Sequence, residues 1–429
     1  MTTLYLDVTQ TYVSRLATGI QRVVRKVTEE LLRQQVGSID RVRPVVALGD
    51  KFLLLDDLGV DELLGDPSKA HVPSTGPIGR MMARGGAHLP MLMDILQRRR
   101  FAQAAAAAID RPLPQADFAT GDIVLLLDAF WGGSQALAAA RTARLRGATV
   151  IATIYDLIPV THPSYMPPVA AKLFKRRLRL ALKICDGFVA ISKTTAAELH
   201  EFAGADRANT EVAYCGADIV PQSAPCPPLP EGALASRGAE FRGFSYISVS
   251  TLEPRKGHQT ILDAFERLWA QGSTARLTFV GRRGWDVEPL WNRCRELEAR
   301  TPLFRLEEGA DDARLAELMA CSSLAIVASK AEGFGLPVVE ALMRDLPVLA
   351  SDIPVFREIG GDAVAFFAEG DAIALAERIS DFENDPEPMR AAALSFAWPT
   401  WREAAPSYAQ AALRLHARVG LSAKEEQCA

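Results

Sequence analysis

The sequence predicts an α/β protein built from two doubly wound domains, and three observations carry that prediction. Short apolar runs recur along the chain, most of them followed by a loop and then a helix-period segment. A proline-rich break, Val220 to Pro230, divides those runs into two sets. The length of 429 residues is that of two ordinary domains.

Composition narrows the class. A hydrophobic content of 49% with 23% charged residues describes a globular chain with ample core. A net charge of −4 gives no drive toward nucleic acid, so none is expected as a partner. The six cysteines, at 185, 215, 226, 294, 321 and 428, form no C-x-x-C pair; reduced buried thiols are expected rather than a disulfide framework or a zinc site. The N-terminus lacks a basic region with an apolar signal core, and no window reaches 18 uninterrupted apolar residues. A cytoplasmic location is the expectation.

Residues 1–219 read as the first domain. Leu4 to Val8 is a strand ending near Asp7, and the loop Thr18-Gly19-Ile20 leads to a helix from about Gln21 to Gln34. Gly19 at the mouth of that helix lets backbone approach a ligand. Val42 to Leu48 is a second strand. Residues 50 to 120 are less regular and read as a helical insertion; its Met-, Leu- and Arg-rich run reads alternatively as a surface for a lipid-linked acceptor. Ile123 to Leu127 ends at Asp128, with Trp131-Gly132-Gly133 beyond it, and Ala148 to Ile154 ends at Tyr155-Asp156. Loops at the carboxyl ends of parallel strands hold ligands in open α/β sheets, so both are acceptor-side candidates. His162, before a proline, reads as a loop histidine.

Lys172 to Lys183 is helical by period. Lys172, Lys175, Arg176, Arg179 and Lys183 share helical spacing with no acid until Asp186. Two readings stand: a solvated face, or a patch that attaches the protein peripherally to an anionic membrane. Gly187 to Ile191 and Glu211 to Tyr214 complete the strands of this half.

Residues 220–235 form the linker and 236–400 the second domain. Phe244 to Ser250 is a strand, followed by Thr251-Leu252-Glu253-Pro254-Arg255-Lys256-Gly257 and a helix from about His258 to Trp269. Two adjacent cations at a strand-to-helix loop of an acidic chain call for an anionic partner. Arg255 and Lys256 suit a diphosphate, although only one of two neighbours need face it. Leu277 to Val280 ends in Gly281-Arg282-Arg283-Gly284-Trp285, which is not a G-x-G-x-x-G fingerprint. Leu303 to Glu307 is a short strand, after which Asp312 is the expected N-cap of the next helix.

The densest signal follows. Leu324 to Ala328 is a buried strand, Glu332-Gly333-Phe334-Gly335 a tight turn, and Leu336-Pro337 opens a helix carrying Glu340. Free amides and the positive end of a helix face such a turn and make an anion seat. Carboxylates beside a phosphate repel it, so the partners of Glu332 and Glu340 are hydroxyl groups. A sugar joined to a nucleotide diphosphate satisfies both demands.

The run EGFGLPVVEAL resembles the signature of the retaining family-4 glycosyltransferases of GT-B fold. That resemblance implies two Rossmann-like domains facing a cleft, with a last helix, residues 401–429, crossing back to the first domain and Trp398 anchoring the crossing. It is strongest over residues 187 to 400, and TGIQR resembles polysaccharide-assembly members. It implies catalytic roles for Glu332, Lys256, Arg255 and Asp156. Donor contacts would come from Gly19, Gly333, Phe334, Gly335, Leu336 and Glu340, with Glu308 near the nucleobase. Two departures accompany it: Tyr155-Asp156 stands where the family commonly has His-Asp, and Thr251 where it often has an arginine.

The function so implied is transfer of a hexose, mannose- or rhamnose-like, from a nucleotide diphosphate sugar to a growing cell-surface glycan or polyprenyl-linked acceptor. Configuration is retained, and neither metal nor separate cofactor is expected, since cations cover the leaving diphosphate. Two rivals share the fold: an epimerase or phosphorylase acting on nucleotide sugars, and a non-catalytic sugar-nucleotide-binding subunit.

Overall fold

The structure, a computed structural model, describes residues 1–15, 18–65, 99, 101, 103–133, 135–204, 209–218 and 243–428. The chain divides into two compact units, Met1–Gly216 with Pro399–Ala429, and Ala217–Trp398. The proline-rich stretch and most of the Met-, Leu- and Arg-rich run lie outside the described residues.

Unit 1 holds a seven-stranded sheet: β1 (Thr2–Asp7), β2 (Ile39–Leu48), β3 (Lys51–Leu54), β4 (Ile123–Leu126), β5 (Thr149–Ile154), β6 (Gly187–Ala190) and β7 (Thr210–Val212), in the order β3-β2-β1-β4-β5-β6-β7. All pairs are parallel except β2 with β3. Strands β4, β5 and β6 are buried at every position, as parallel strands covered by helices on both faces must be. Val124, Ile154, Phe130, Leu178 and Phe188 belong to the core beneath them.

The stretch expected to be a helical insertion from residue 50 opens differently. Lys51–Leu54 turns back as an edge strand on β2, and the helix Asp57–Leu64 follows, capped by Asp56, whose side chain accepts from the Gly59 amide. Gly49, at φ +67°, makes the reversal possible. Four residues, of which only Phe52 is buried, carry too little hydrophobic period to announce a strand.

The last helix, Trp401–Cys428, belongs to unit 1. Its start is a capping box. Thr400 Oγ1 accepts from the Glu403 amide at 3.3 Å, and the Glu403 carboxylate accepts from the Thr400 amide at 2.8 Å. Pro406 removes one donor inside this helix, and the Arg402 carbonyl thereby released accepts instead from Gln34 Nε2 at 3.1 Å. Tyr408, fully buried, meets Cys215 Sγ at 3.6 Å, and His416 Nδ1 meets Thr149 Oγ1 at 2.7 Å.

Unit 2 holds a six-stranded sheet of β8 (Ser245–Val249), β9 (Arg276–Val280), β10 (Phe304–Glu307), β11 (Leu324–Val327), β12 (Val348–Ser351) and β13 (Val364–Phe367). The order is β10-β9-β8-β11-β12-β13 and every pair is parallel. This is the doubly wound order in which the connection reverses between β8 and β11. Tyr246, Phe265, Phe279 and Phe382 are fully buried in its core. The helix Asp312–Ala320 is capped by Asp311, not the expected Asp312: Asp311 is extended and its carboxylate accepts from the Arg314 amide at 2.8 Å. Either acid of the pair satisfies the capping rule, so backbone geometry decides.

Cys185, Cys215 and Cys294 are free and buried, as expected. Among the described residues no helix is long and apolar enough to cross a membrane. Taken together, two Rossmann-like units and a C-terminal helix returning to the first are the architecture of the GT-B fold.

Gly216 sits where the last helix begins. A Cβ there would stand 2.6 Å from the Trp401 Cα, so Gly216→Ala should push the helix start outward. The expected cost is about 1–3 kcal/mol, read as a lowered denaturant midpoint at unchanged slope.

Candidate functional site

The switch point of unit 2 brings together two loops distant in sequence. The first leaves β8 and forms a 3-10 turn, Pro254–Lys256, ending at Gly257 with φ +70°. The second leaves β11 and runs through Ser329 and Glu332 to Gly335. A Cβ on Gly257 would fall 1.9 Å from the Ala328 carbonyl oxygen, so only glycine lets the loops touch. Backbone then stitches them: the Lys330 amide donates to the Arg255 carbonyl at 2.8 Å. Ser351, at the end of β12, donates to the Ser329 carbonyl at 2.8 Å and fixes the second loop from behind.

This stitching places Glu332 between both cations. Arg255 donates to Glu332 Oε2 at 3.0 Å, Lys256 forms a short ion pair with Oε1, and Ser329 Oγ donates to Oε1 at 2.8 Å. Side-chain exposure is 10% for Glu332, 11% for Lys256 and 20% for Arg255, so solvent screens the cluster little. The sequence reading gave the acid and the cations to different parts of a ligand and required only one cation to face inward. The structure joins all three. Arg255 is held further by Glu253, whose carboxylate accepts from its Nε at 3.1 Å.

Electrostatics follow the burial. Burial alone would raise the Glu332 carboxyl, but Lys256 and Arg255 outweigh it and hold the pKa at about 2. Burial lowers the Lys256 ammonium below the ordinary lysine value, and Glu332 restores part of the loss. His258, buried directly behind Lys256, is driven by burial and by that ammonium to about 3; it is a neutral ring against Phe279, with Nε2 3.2 Å from Ser250 Oγ.

The glycine turn completes the site. Gly335 adopts φ +102°, and a Cβ there would stand 2.5 Å from the Phe356 ring, so conformation and space both require glycine. The helix Leu336–Leu342 starts at once, with Pro337 in its first turn. Phe334 is buried edge-on to Trp398, ring centroids 5.8 Å apart, and Trp398 stacks on Phe396. Glu340 is buried on the same short helix. Gly333 lies between Glu332 and Phe334 in this turn.

The other candidates lie on other elements. Glu308 is exposed and ion-paired with Arg295, which ties the loop after β10 to the helix Glu288–Arg300. Gly19 and Asp156 belong to unit 1. Gly19 is the exposed first residue of the helix Gly19–Arg33. Asp156 Oδ1 accepts from the Ile158 amide at 3.1 Å, and with burial it raises the neighbouring Glu198 to about 7. His162 is exposed and stacked on Tyr165. Among the described residues no group of three His, Cys, Asp or Glu side chains is arranged to hold a metal ion.

Sequence reasoning named the loop at Asp128 as an acceptor-side candidate but did not join it to Asp7 across the switch point of unit 1. Asp7 ends β1 and Asp128 lies just past β4, both fully buried. Burial and then the Asp128 charge raise Asp7 to about 7, although Thr9 hydrogen-bonds it; burial likewise raises Asp128. Asp7 Oδ2 has no hydrogen-bond partner among the described residues. A strand closing on an acid was the available signal in both places.

The Glu332 cluster makes acid stability measurable. A carboxyl depressed in the folded state stabilises above its unfolded pKa, and that stabilisation disappears as pH falls through the folded value. From about 4.5 down to about 2, the wild type should therefore lose about 3 kcal/mol more than Glu332→Gln, in denaturant titrations across that range.

Comparison with known proteins agrees with this geometry. Residues 242–394 match the family model described as Glycosyl transferases group 1, and residues 82–220 match Glycosyltransferase Family 4. The serotype-specific mannosyltransferase WbdA of Escherichia coli is 32% identical over 275 residues, covering 61% of this chain and 33% of WbdA. The O-antigen chain mannosyltransferase B of the same organism is 28% identical over 233 residues, covering 53% of this chain and 60% of that protein. The chain thus spans about a third of WbdA. Among solved structures, sucrose-phosphate synthase from Thermosynechococcus elongatus superposes over 100% of both chains, with a TM-score of 0.60 and 15% identity. By fold and by both sequence matches, the chain is related to the GT-B glycosyltransferases.

Proposed function

We propose that the protein is a retaining, metal-independent hexosyltransferase that takes its sugar from a nucleotide diphosphate sugar. The observation that carries this reading is the buried Lys256–Glu332–Arg255 cluster at the carboxyl ends of β8 and β11, next to the Gly335 turn. Open α/β sheets bind ligands at that position. Two cations there stabilise charge developing on a leaving diphosphate, which is the electrostatic work glycosyl transfer requires. Glu332 then hydrogen-bonds hydroxyls of the donor sugar and Glu340 those of the ribose. Attack comes from the face the leaving phosphate departs, so no protein nucleophile is needed and configuration is retained.

Mannose or a related hexose is the favoured sugar, supported by the resemblance to two mannosyltransferases. The acceptor is a growing surface glycan or polyprenyl-linked saccharide, engaged by unit 1 around Asp156. Unit 1 also holds a cavity of about 470 Å³, lined by Trp131, Phe174, Met166 and Arg177, which offers aromatic and apolar surface. The helix Pro168–Ile184 buries Leu173, Phe174 and Arg177 and exposes Lys172, Lys175, Arg176, Arg179 and Lys183. That cationic face supports a cytoplasmic protein attached to the inner face of an anionic membrane.

With GDP-mannose and a polyprenyl-linked saccharide, the wild type should form an α-linked product. Glu332→Ala should lower kcat/KM by at least ~100-fold. Full activity in Glu332→Ala would refute the site, and isomerised sugar without acceptor would favour an epimerase. In flotation with phosphatidylglycerol vesicles, the wild type should bind, and Lys172→Glu with Arg176→Glu and Lys183→Glu should abolish binding at physiological salt. Equal recovery of both proteins would leave the helix a solvated face.

A further inference from the structure

Glu332 is occupied twice over. Its carboxylate is the counter-ion of Lys256 and Arg255, and it is also the group that the donor reading assigns to sugar hydroxyls. Both duties cannot be met in one position. Oε1 accepts from Lys256 and Ser329, and Oε2 from Arg255. Three of the roughly four lone-pair directions of a carboxylate are therefore used within the protein.

The same conflict appears from the phosphate's side. A phosphate drawn to Lys256 and Arg255 would lie beside a buried carboxylate, where little water screens the repulsion. Lys256 and Arg255 hold a pKa of about 2 on the acid, so it does not escape the conflict by taking a proton at physiological pH. The carboxylate must turn away. Turned away, it leaves three strong donors, and a buried carboxylate without partners is costly. A bare nucleoside diphosphate brings no replacement donors. A donor with its sugar attached does, through its hydroxyls.

We propose that Glu332 is an internal counter-ion that makes diphosphate binding and sugar binding one coupled event, so that the site favours the intact donor over the nucleotide product. The coupling rests on the donor reading given above. Its chemical content is an exchange of partners: phosphate oxygens replace the carboxylate on Lys256 and Arg255, and sugar hydroxyls replace Lys256, Arg255 and Ser329 on the carboxylate. Ser329 sets how firmly the acid is held back, because its hydroxyl is the neutral member of the three and adds nothing to phosphate attraction.

Calorimetric titration tests this with four probe pairs: GDP and GDP-mannose, UDP and UDP-glucose, ADP and ADP-glucose, dTDP and dTDP-rhamnose. For the pair that binds, Glu332→Gln should tighten the bare diphosphate about tenfold and leave the intact donor no tighter, so the ratio of the two dissociation constants shifts about tenfold against the sugar. Ser329→Ala keeps all three charges and removes a bond the acid gives up in either complex, so it should tighten both members of the pair by a similar factor, about threefold, and tightening of neither overturns the exchange where Glu332→Gln does not fold. An unchanged ratio, or weaker diphosphate binding, in folded Glu332→Gln overturns the coupling. Binding by none of the four pairs to the wild type overturns the donor reading itself, and the coupling with it.

Discussion

A single buried carboxylate between two cations organises unit 2. Glu332 links the loop after β8 to the loop after β11, and those loops meet because Gly257 has no side chain and the Lys330 amide reaches the Arg255 carbonyl. The glycine turn, the start of the helix Leu336–Leu342 and the ring pair Phe334–Trp398 lie immediately beyond. Removing Glu332 would leave the buried Lys256 ammonium without its counter-ion, which costs far more than a surface pair returns. Local conformation and binding chemistry therefore depend on the same contacts.

Much of the architecture could be read from the chain because parallel strands are short, apolar and buried on both sides. Leu324–Val327 and Val348–Ser351 are such strands, and the Pro337 and Gly335 signals mark the intervening helix start. What could not be read was partnership across distance. Glu332 and Lys256 stand out individually, yet nothing local indicates that they bond across 76 positions. Ser329 and Ser351 are ordinary residues until the fold places them beside Glu332 and its loop. Lys51–Leu54 failed for the opposite reason, being too short and too exposed to carry a period. Thr400 and Glu403 did carry a capping signal, which fixes the last helix at Trp401, where its buried apolar face begins.

The two sheets have the same reversal in strand order but opposite chemistry at it. In unit 1 the first and fourth strands lead to Asp7 and Asp128, buried acids held by Thr9 and by the Thr11 and Ala129 amides. In unit 2 the corresponding strands, β8 and β11, lead to two cations and one acid. An anion is attracted to the second arrangement and repelled by the first. Hydroxyl-bearing groups suit an acidic crevice better than phosphates do. The proposed division between a donor site in unit 2 and an acceptor site in unit 1 rests on that contrast.

Gly257 has one more consequence. Its α-carbon packs against the Ala328 carbonyl with no room for a side chain, and beside it the Lys330 amide bonds the Arg255 carbonyl, so the two loops are joined backbone to backbone. Accommodation of anything that enters must then come from torsion about side-chain bonds at Arg255, Lys256 and Glu332. A machine of that kind retunes by swapping three side chains on an unchanging frame, and it leaves the frame alone.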